Sequence, residues 1–200
     1  SGTQAGPDRR GILLVVAGPS GVGKGALIRE LLRRHPQVQW SVSCTTRAPR
    51  PGEEDGVDYH FVSEAEFARM CEQGELLEWA LVYGCDRYGT PRGPVEQALE
   101  AGRDIVLEID YQGARSVRAQ LPEAVMVFVA PPSATDLRER LAGRNTESDG
   151  AIRRRMRSAA VEFSHMGMFE YVLVNDELER ACNDLEAIYL AERMRSRRCG

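Results

Sequence analysis

The segment Gly18-Pro19-Ser20-Gly21-Val22-Gly23-Lys24-Gly25 is a phosphate-binding loop, and it constrains what must lie on either side of it. Residues 11–17 before it are an apolar, β-branched run, and residues 26–34 after it have helical periodicity, with Leu27, Ile28, Leu31 and Leu32 on one face. Buried strand, glycine loop and amphipathic helix thus follow in the order that phosphate binding requires. Gly18, Gly21 and Gly23 let the backbone curl until successive N–H groups face one concavity at the positive end of the helix. Lys24 adds a full charge near the β- and γ-phosphates of a nucleotide. The loop is complete through Lys24, but Gly25 stands where a hydroxyl residue usually contacts magnesium. A glycine-rich turn that binds nothing would not need a strand and a helix of these kinds around it, so nucleotide binding is the working expectation.

Composition narrows the rest. A chain of 200 residues with 42% hydrophobic content can bury a real core as one α/β domain with small insertions. The net charge of −4 argues against a general nucleic-acid binder. The longest apolar run, seven residues, is too short to span a bilayer, and no secretory signal is visible, so no membrane partner is expected. Five cysteines, at 44, 71, 85, 182 and 199, are odd in number and form no C-x-x-C pair, which favours reduced thiols in a cytoplasmic protein. His35, His60 and His165 are not at metal-ligand spacing, and no side-chain metal site is expected. Residues 1–10, polar and containing Gly and Pro, read as a loose arm.

Along the chain, residues 40–43 form a short alternating stretch, and Thr45 to Gly52, interrupted by two prolines, reads as an ordered loop rich in Arg and hydroxyls. Residues 57–62 alternate as a strand. Ser63 is a good N-cap with Glu66 three residues on, which predicts a helix over 64–72. Residues 76–88 favour strand, with Trp79 and Phe61 as core aromatics. A helix after Pro94, a strand over 104–110, a helix over 112–120, a strand over 124–129, a helix over 133–141, a strand over 171–174 and a helix over 176–194 follow. Strands alternating with helices imply a parallel sheet covered on both faces, with ligands beyond the carboxyl ends of the strands, where Gly18 and Asp110 fall. Residues 138–157 hold Arg138, Arg140, Arg144, Arg153, Arg154, Arg155 and Arg157. Singly, Arg138, Arg153, Arg154 and Arg157 read as a solvated helix face; together, beside a phosphate loop, the arginines suit a lid.

The Gly18 loop, residues 41–53 (Ser-Val-Ser-Cys-Thr-Thr-Arg-Ala-Pro-Arg-Pro-Gly-Glu), Asp58-Tyr59 with Phe61, and Glu78-Trp79-Ala80 together resemble guanylate kinase. So do Tyr88-Gly89-Thr90, Ile109-Asp110 with Gln112-Gly113, residues 130–133, Gly143-Arg144 with Thr146-Glu147, and Val174-Asn175-Asp176. The match runs in order and at family spacing from about residue 11 to about residue 194. The resemblance implies a P-loop NTPase fold of three layers with a parallel central sheet, and reversible transfer of the γ-phosphoryl group of ATP to GMP with magnesium. It implies a core (residues 11–42, 91–137 and 158–197), an inserted GMP-binding region (43–90) and a mobile lid (138–157). The expected partners are the nucleotides ATP and GMP, with no obligate protein partner.

Residue chemistry supports the carry-over. Arg47 and Arg50 offer guanidinium forks and Tyr59 and Tyr88 hydroxyls, which together look like a clamp for the GMP phosphate. Guanine presents an acceptor O6 beside donors N1–H and N2–H₂, so Glu78 suits the donors, and Ser43 and Thr90 suit O6. Asp110 supports either the base or the magnesium waters, with Glu108 a weaker candidate. For the transferring group, Lys24, Arg140, Arg144 and Arg155 are the expected stabilisers, Arg140 also sharing ATP binding. On the ATP side stand the loop residues 18–25 and Asn175, which resembles the family's adenine-contacting position and is otherwise a neighbour of a helix N-cap.

Three positions depart from the family pattern. Gly25 and Ala26 replace the usual hydroxyl pair, so magnesium is expected to be held by phosphate oxygens and water. The stretch from Gly84 to Tyr88 is one residue long, with Arg87 in place of a frequent aromatic, and Asn145 replaces a usual lid glycine. The rival readings are a catalytically inactive guanylate kinase-like interaction module and another nucleoside- or sugar-phosphate kinase. Retention of Lys24 and the lid arginines opposes the first, and the set Ser43, Glu78, Thr90 opposes the second.

Overall fold

The computed structural model describes residues 10–82, 85–143 and 149–195. Its elements begin with β1 (Leu13–Ala17), α1 (Lys24–Arg34), β2 (Gln39–Trp40), β3 (Cys44–Thr45), β4 (His60–Phe61), α2 (Glu64–Glu72), β5 (Leu76–Val82) and β6 (Asp86–Pro91). They continue with α3 (Arg92–Glu100), β7 (Ile105–Glu108), α4 (Tyr111–Gln120), β8 (Val125–Ala130), α5 (Ala134–Ala142), α6 (Asp149–Ser164), β9 (Tyr171–Val174) and α7 (Leu178–Arg193).

Every residue of β1 is buried, because the strand lies at the middle of a five-stranded parallel sheet of order β2-β7-β1-β8-β9. Helices cover both faces, which is why the strand reads as an unbroken apolar run. Its side chains point alternately into two cores. Leu14 and Val16 pack with Leu27, Ile28 and Leu31 of α1 and with Leu185 and Tyr189 of α7. Leu13 and Val15 pack with Val95 and Leu99 of α3 and with Ala114 and Val117 of α4. Each fully buried side chain of this size contributes about 1.5–3 kcal/mol, so a charge placed at Val15 would abolish the fold.

The second sheet has the order β4-β3-β6-β5, antiparallel except between β3 and β4. Cys44, Phe67 and Leu76 form its own small core against α2. It joins the main body where Gln120 of α4 donates to the Leu77 carbonyl at 2.5 Å.

The alternation of strands and helices therefore gives the parallel sheet that the sequence implies. The helix over 64–72 is found with those bounds, and the Ser63 hydroxyl accepts from Glu66 N–H at 3.1 Å. Other expectations change. The strand expected over 57–62 is reduced to His60–Phe61, with Val57 exposed. The strand expected over 76–88 is found as two antiparallel strands, Leu76–Val82 and Asp86–Pro91, and the helix placed after Pro94 already begins at Arg92. Trp79 is 48% exposed, its ring set edge-on to Phe67 and within 5.8 Å of the Arg87 guanidinium, so it caps the small core from outside. The helix Asp149–Ser164 has no counterpart in the sequence reading and runs unbroken past residue 157. Its signal was present: Ile152, Met156, Ala159 and Phe163 recur at helical spacing and pack on Leu137 and Leu141 of α5.

Candidate active site

At the end of β1 the chain enters the loop with Gly18 at φ +141°, where a Cβ would lie 2.3 Å from the Val129 carbonyl oxygen of β8. Only glycine allows that approach. Gly23, at φ +100°, precedes α1, and a Cβ there would meet the Asn175 amide nitrogen at 2.5 Å. Asn175, buried just beyond β9, donates from Nδ2 to the Val22 carbonyl at 2.8 Å. Arg140 of α5 donates to the Asn175 carbonyl at 2.8 Å and to the Val22 carbonyl at 3.4 Å. Asn175 and Arg140 thus clasp the loop from behind. The Lys24 ammonium donates to the Gly18 and Pro19 carbonyls at 2.6 and 3.1 Å, folded over the loop's own mouth.

The loop forms one wall of a cleft of about 320 Å³ between the two sheets. Of the residues singled out in the sequence, Gly18, Ser20, Gly21, Lys24, Ser43, Arg47, Arg50, Tyr59, Glu78, Tyr88, Asp110 and Arg155 line it. Pro19, Val22, Gly23, Gly25 and Thr90 are not on its surface; the first four shape the loop, and Thr90 stands behind Glu78. Arg144 lies outside the described residues, as do Gly84, Asn145 and Cys199.

Across from the loop, the Arg47 guanidinium sits 5.3 Å from the centre of the Tyr59 ring and donates to the Tyr88 hydroxyl at 3.0 Å. Its remaining fork grips both Glu53 oxygens at 2.9 and 3.0 Å, and that pairing raises its pKa and lowers that of Glu53. Glu53 also accepts from the Arg50 backbone N–H at 2.7 Å, so one carboxylate fixes the loop carrying both arginines. Burial raises the pKa of the Tyr59 phenol. Arg87 points away, within 3.3 Å of Glu64.

Deeper in the cleft, Glu78 of β5 is 6% exposed and accepts from the Thr90 hydroxyl at 2.5 Å. Loss of water pushes its carboxyl up to about 7, with Asp110 adding to the rise and Thr90 opposing it. Gly113 makes room for this carboxylate: a Cβ at that position would lie 2.4 Å from Glu78 Oε2. Asp110 caps α4 by accepting from Gly113 N–H at 2.8 Å, and its other oxygen accepts from Gln112 Nε2 at 3.0 Å.

Helix α6 closes the third side. Arg155 donates to the Ser20 hydroxyl at 3.3 Å, and Ser158 and Glu162 follow on the same face and also line the cleft. Glu162, Glu53 and Gly113 are contributors that sequence reasoning missed as site residues. Glu162 was recoverable from its spacing to Arg155, two turns away on one helix face.

A family model described as "Guanylate kinase" matches residues 10–192. This chain belongs to the guanylate kinase family. It is 53% identical over 192 residues to a guanylate kinase of Symbiobacterium thermophilum, covering 96% of this chain and 90% of that protein. It is 50% identical to the guanylate kinase of Desulfitobacterium hafniense, covering 94% of each. The crystal structure of guanylate kinase from Anaplasma phagocytophilum superposes with a TM-score of 0.79 at 36% identity, covering 96% of this chain and 90% of that one. The three-layer fold read from the sequence is the fold of that guanylate kinase structure, and nothing in these comparisons supports the inactive-module reading.

Proposed function

We propose that this guanylate kinase-family chain transfers the γ-phosphoryl group of ATP to GMP, giving ADP and GDP. The observation that carries the reading is a single cleft with a phosphate loop on one wall, an Arg-Tyr phosphate clamp opposite, and a buried carboxylate between sheet and helix. In this reading Arg47, Arg50, Tyr59 and Tyr88 hold the GMP phosphate, with Glu53 yielding part of the Arg47 fork to it. Glu78 accepts from guanine N1–H and N2–H₂. A hydroxyl has one proton, so while Thr90 donates to Glu78 it orients that carboxylate, and Ser43 is left to donate to O6. Adenine offers Glu78 no matching donors, and an unpaired buried carboxylate costs about 1–3 kcal/mol or more.

A GMP phosphate oxygen attacks the γ-phosphorus as the bond to the β-γ bridging oxygen breaks and ADP leaves. Catalysis is positioning and charge neutralisation. Lys24, released from the Gly18 and Pro19 carbonyls, Arg155, and Arg144 from outside the described residues share the charge of the transferring group. Arg140 and Asn175 act by holding the loop, and Asn175 is also the candidate neighbour of the adenine ring. Magnesium, when bound with ATP, neutralises phosphate charge. Gly25 offers it no hydroxyl, which leaves the phosphate oxygens and water, with Asp110 and Glu108 at the cleft edge.

No helix among the described residues is long and apolar enough to cross a membrane, and Cys44, Cys71, Cys85 and Cys182 are free thiols. We place the enzyme in the cytoplasm on the second ground. The deciding experiment is a coupled ADP-production assay with ATP and magnesium, offering GMP, dGMP, AMP and UMP in turn. Turnover of GMP with a kcat/KM about 100-fold or more above that for AMP is expected. Folded protein that leaves GMP untouched would overturn the reading.

A further inference from the structure

Glu162 is buried to 6% exposure on α6, and its Oε2 atom has no hydrogen-bond partner among the described residues. Carboxylates in that state are destabilising unless something outside the chain completes them. The side chain lines the cleft with Gly18, Gly21 and Lys24, so the missing partner belongs to whatever occupies the phosphate loop.

Phosphate oxygens cannot be the partner of the ionised carboxylate, since they only accept and carry the same sign of charge. Glu108 and Asp110, from the end of β7 and the start of α4, face the same cleft. Counting Glu78, four carboxylates face a cleft that Lys24, Arg47, Arg50 and Arg155 also line; where carboxylates approach the polyphosphate itself, a cation between the two sets of oxygens relieves their repulsion. Lys24 supplies one positive charge; its ammonium donates to the loop carbonyls at 2.6 and 3.1 Å in the ligand-free fold and, once released, is taken up by the phosphates themselves. Position 25 provides the complementary clue. It has no hydroxyl, although a Cβ there would clear Glu108 Oε2 at 3.4 Å and so is not forbidden by space. An ion that loses a protein ligand keeps a water in its stead, and a metal-bound water is a strong donor that needs an acceptor.

We infer that Glu162 accepts hydrogen bonds from the water shell of a divalent cation carried into the cleft on the nucleotide. Glu162 is a positioning residue in this scheme, acting on the ion through water and not on the transferred group. Burial raises its carboxyl to about 7, opposed by Lys24 and reinforced by Asp110, and the arrival of a dication would hold it ionised. The inference rests on the phosphotransferase reading above, because it needs a nucleotide in the loop.

The test is ATP affinity by titration calorimetry with magnesium and with EDTA, for the wild-type chain, Glu162→Gln and Glu162→Leu. In the wild type, magnesium tightens ATP binding. In both variants that gain falls about tenfold, while Mg-free ATP binds as well as before or better, a buried negative charge having been removed. Glu162→Leu should also melt at a higher temperature than the wild type. Equal weakening with and without magnesium would show that Glu162 acts on Lys24 or the fold and would overturn the inference. So would an unchanged magnesium gain. If Glu162→Gln does not fold, Glu162→Asp, which withdraws the oxygen by one methylene, carries the same comparison. A wild-type chain that binds no ATP in either condition overturns the functional reading itself, and this inference with it.

Discussion

The Thr90 hydroxyl donates to the Glu78 carboxylate at 2.5 Å across directly paired positions of β6 and β5. The register of one hairpin thereby aims the group proposed to read guanine, and burial makes that group sensitive to pH.

Glu78 has its carboxyl raised from 4.5 to about 7 in the ligand-free fold. The folded chain therefore binds this proton more tightly than the unfolded chain, and its contribution to stability is full below pH 4.5 and is lost as pH rises to about 7. Binding runs the other way. Guanine donors need the ionised carboxylate, so GMP affinity rises with pH up to about 7 and then levels. Glu78→Gln should remove the Glu78 component from both curves, as measured by thermal melts and GMP titrations; the Glu162 carboxyl, also raised to about 7, and the phosphate's own titration are common to both proteins and cancel in the comparison.

Gly113→Ala places a methyl 2.4 Å from Glu78 Oε2. The carboxylate must swing aside, and overpacking of this kind costs about 1–3 kcal/mol. Replacing Gly by Ala in a helix returns up to about 1 kcal/mol, so the melting temperature should fall by no more than a few degrees. GMP affinity should nevertheless fall about tenfold or more, with ATP affinity unchanged. Equal loss for both nucleotides in calorimetry would refute the assignment.

Arg47→Lys removes a planar fork that contacts Glu53 twice, Tyr88 once and the Tyr59 ring. A point charge cannot reproduce that geometry. The GMP KM should rise about tenfold or more, whereas the ATP KM should hold. Arg50→Ala should raise the GMP KM in the same direction. Steady-state kinetics with each substrate varied separately distinguishes these outcomes from general unfolding.

Gly25→Ser fills space that is free to 3.4 Å and replaces the poorer helix former in the first turn of α1. A stability gain of about 0.5 kcal/mol is expected, together with a lower magnesium concentration for half-maximal rate. A magnesium titration that does not move would show that phosphate oxygens and water already complete the ion's shell.

The core of the fold was legible because β1, β7 and β8 are covered on both faces and announce themselves as apolar runs, each followed by an amphipathic helix. The residues proposed for the GMP side were singled out only through motif order: Glu78 and Thr90 are ordinary strand residues until β5 and β6 set them opposite each other. The hairpin's outer face was misread, since a Trp in a strand suggests a core and Trp79 instead shelters one. Helix α6 was hidden by its arginines, whose charge density masked the stripe of Ile152, Met156, Ala159 and Phe163. The spacing of Glu162 to Arg155 was legible once the helix was seen, but its burial is a tertiary property that local sequence does not carry. Gly113 was visible as a residue but not as a space, because only the position of Glu78 makes its missing side chain matter.

The hydrogen bond from Asn175 to Val22 spans 153 positions of the chain. A polypeptide emerges from the ribosome in order, so the loop sequence is made early while the residue that clasps it comes late. Until β9 has been synthesised and docked beside β8, the glycine loop has its residues but not its support. A nascent or truncated chain ending before Asn175 therefore carries the signature of a nucleotide binder without the grip of one. The support of the phosphate loop is thus completed only by the last strand of the parallel sheet.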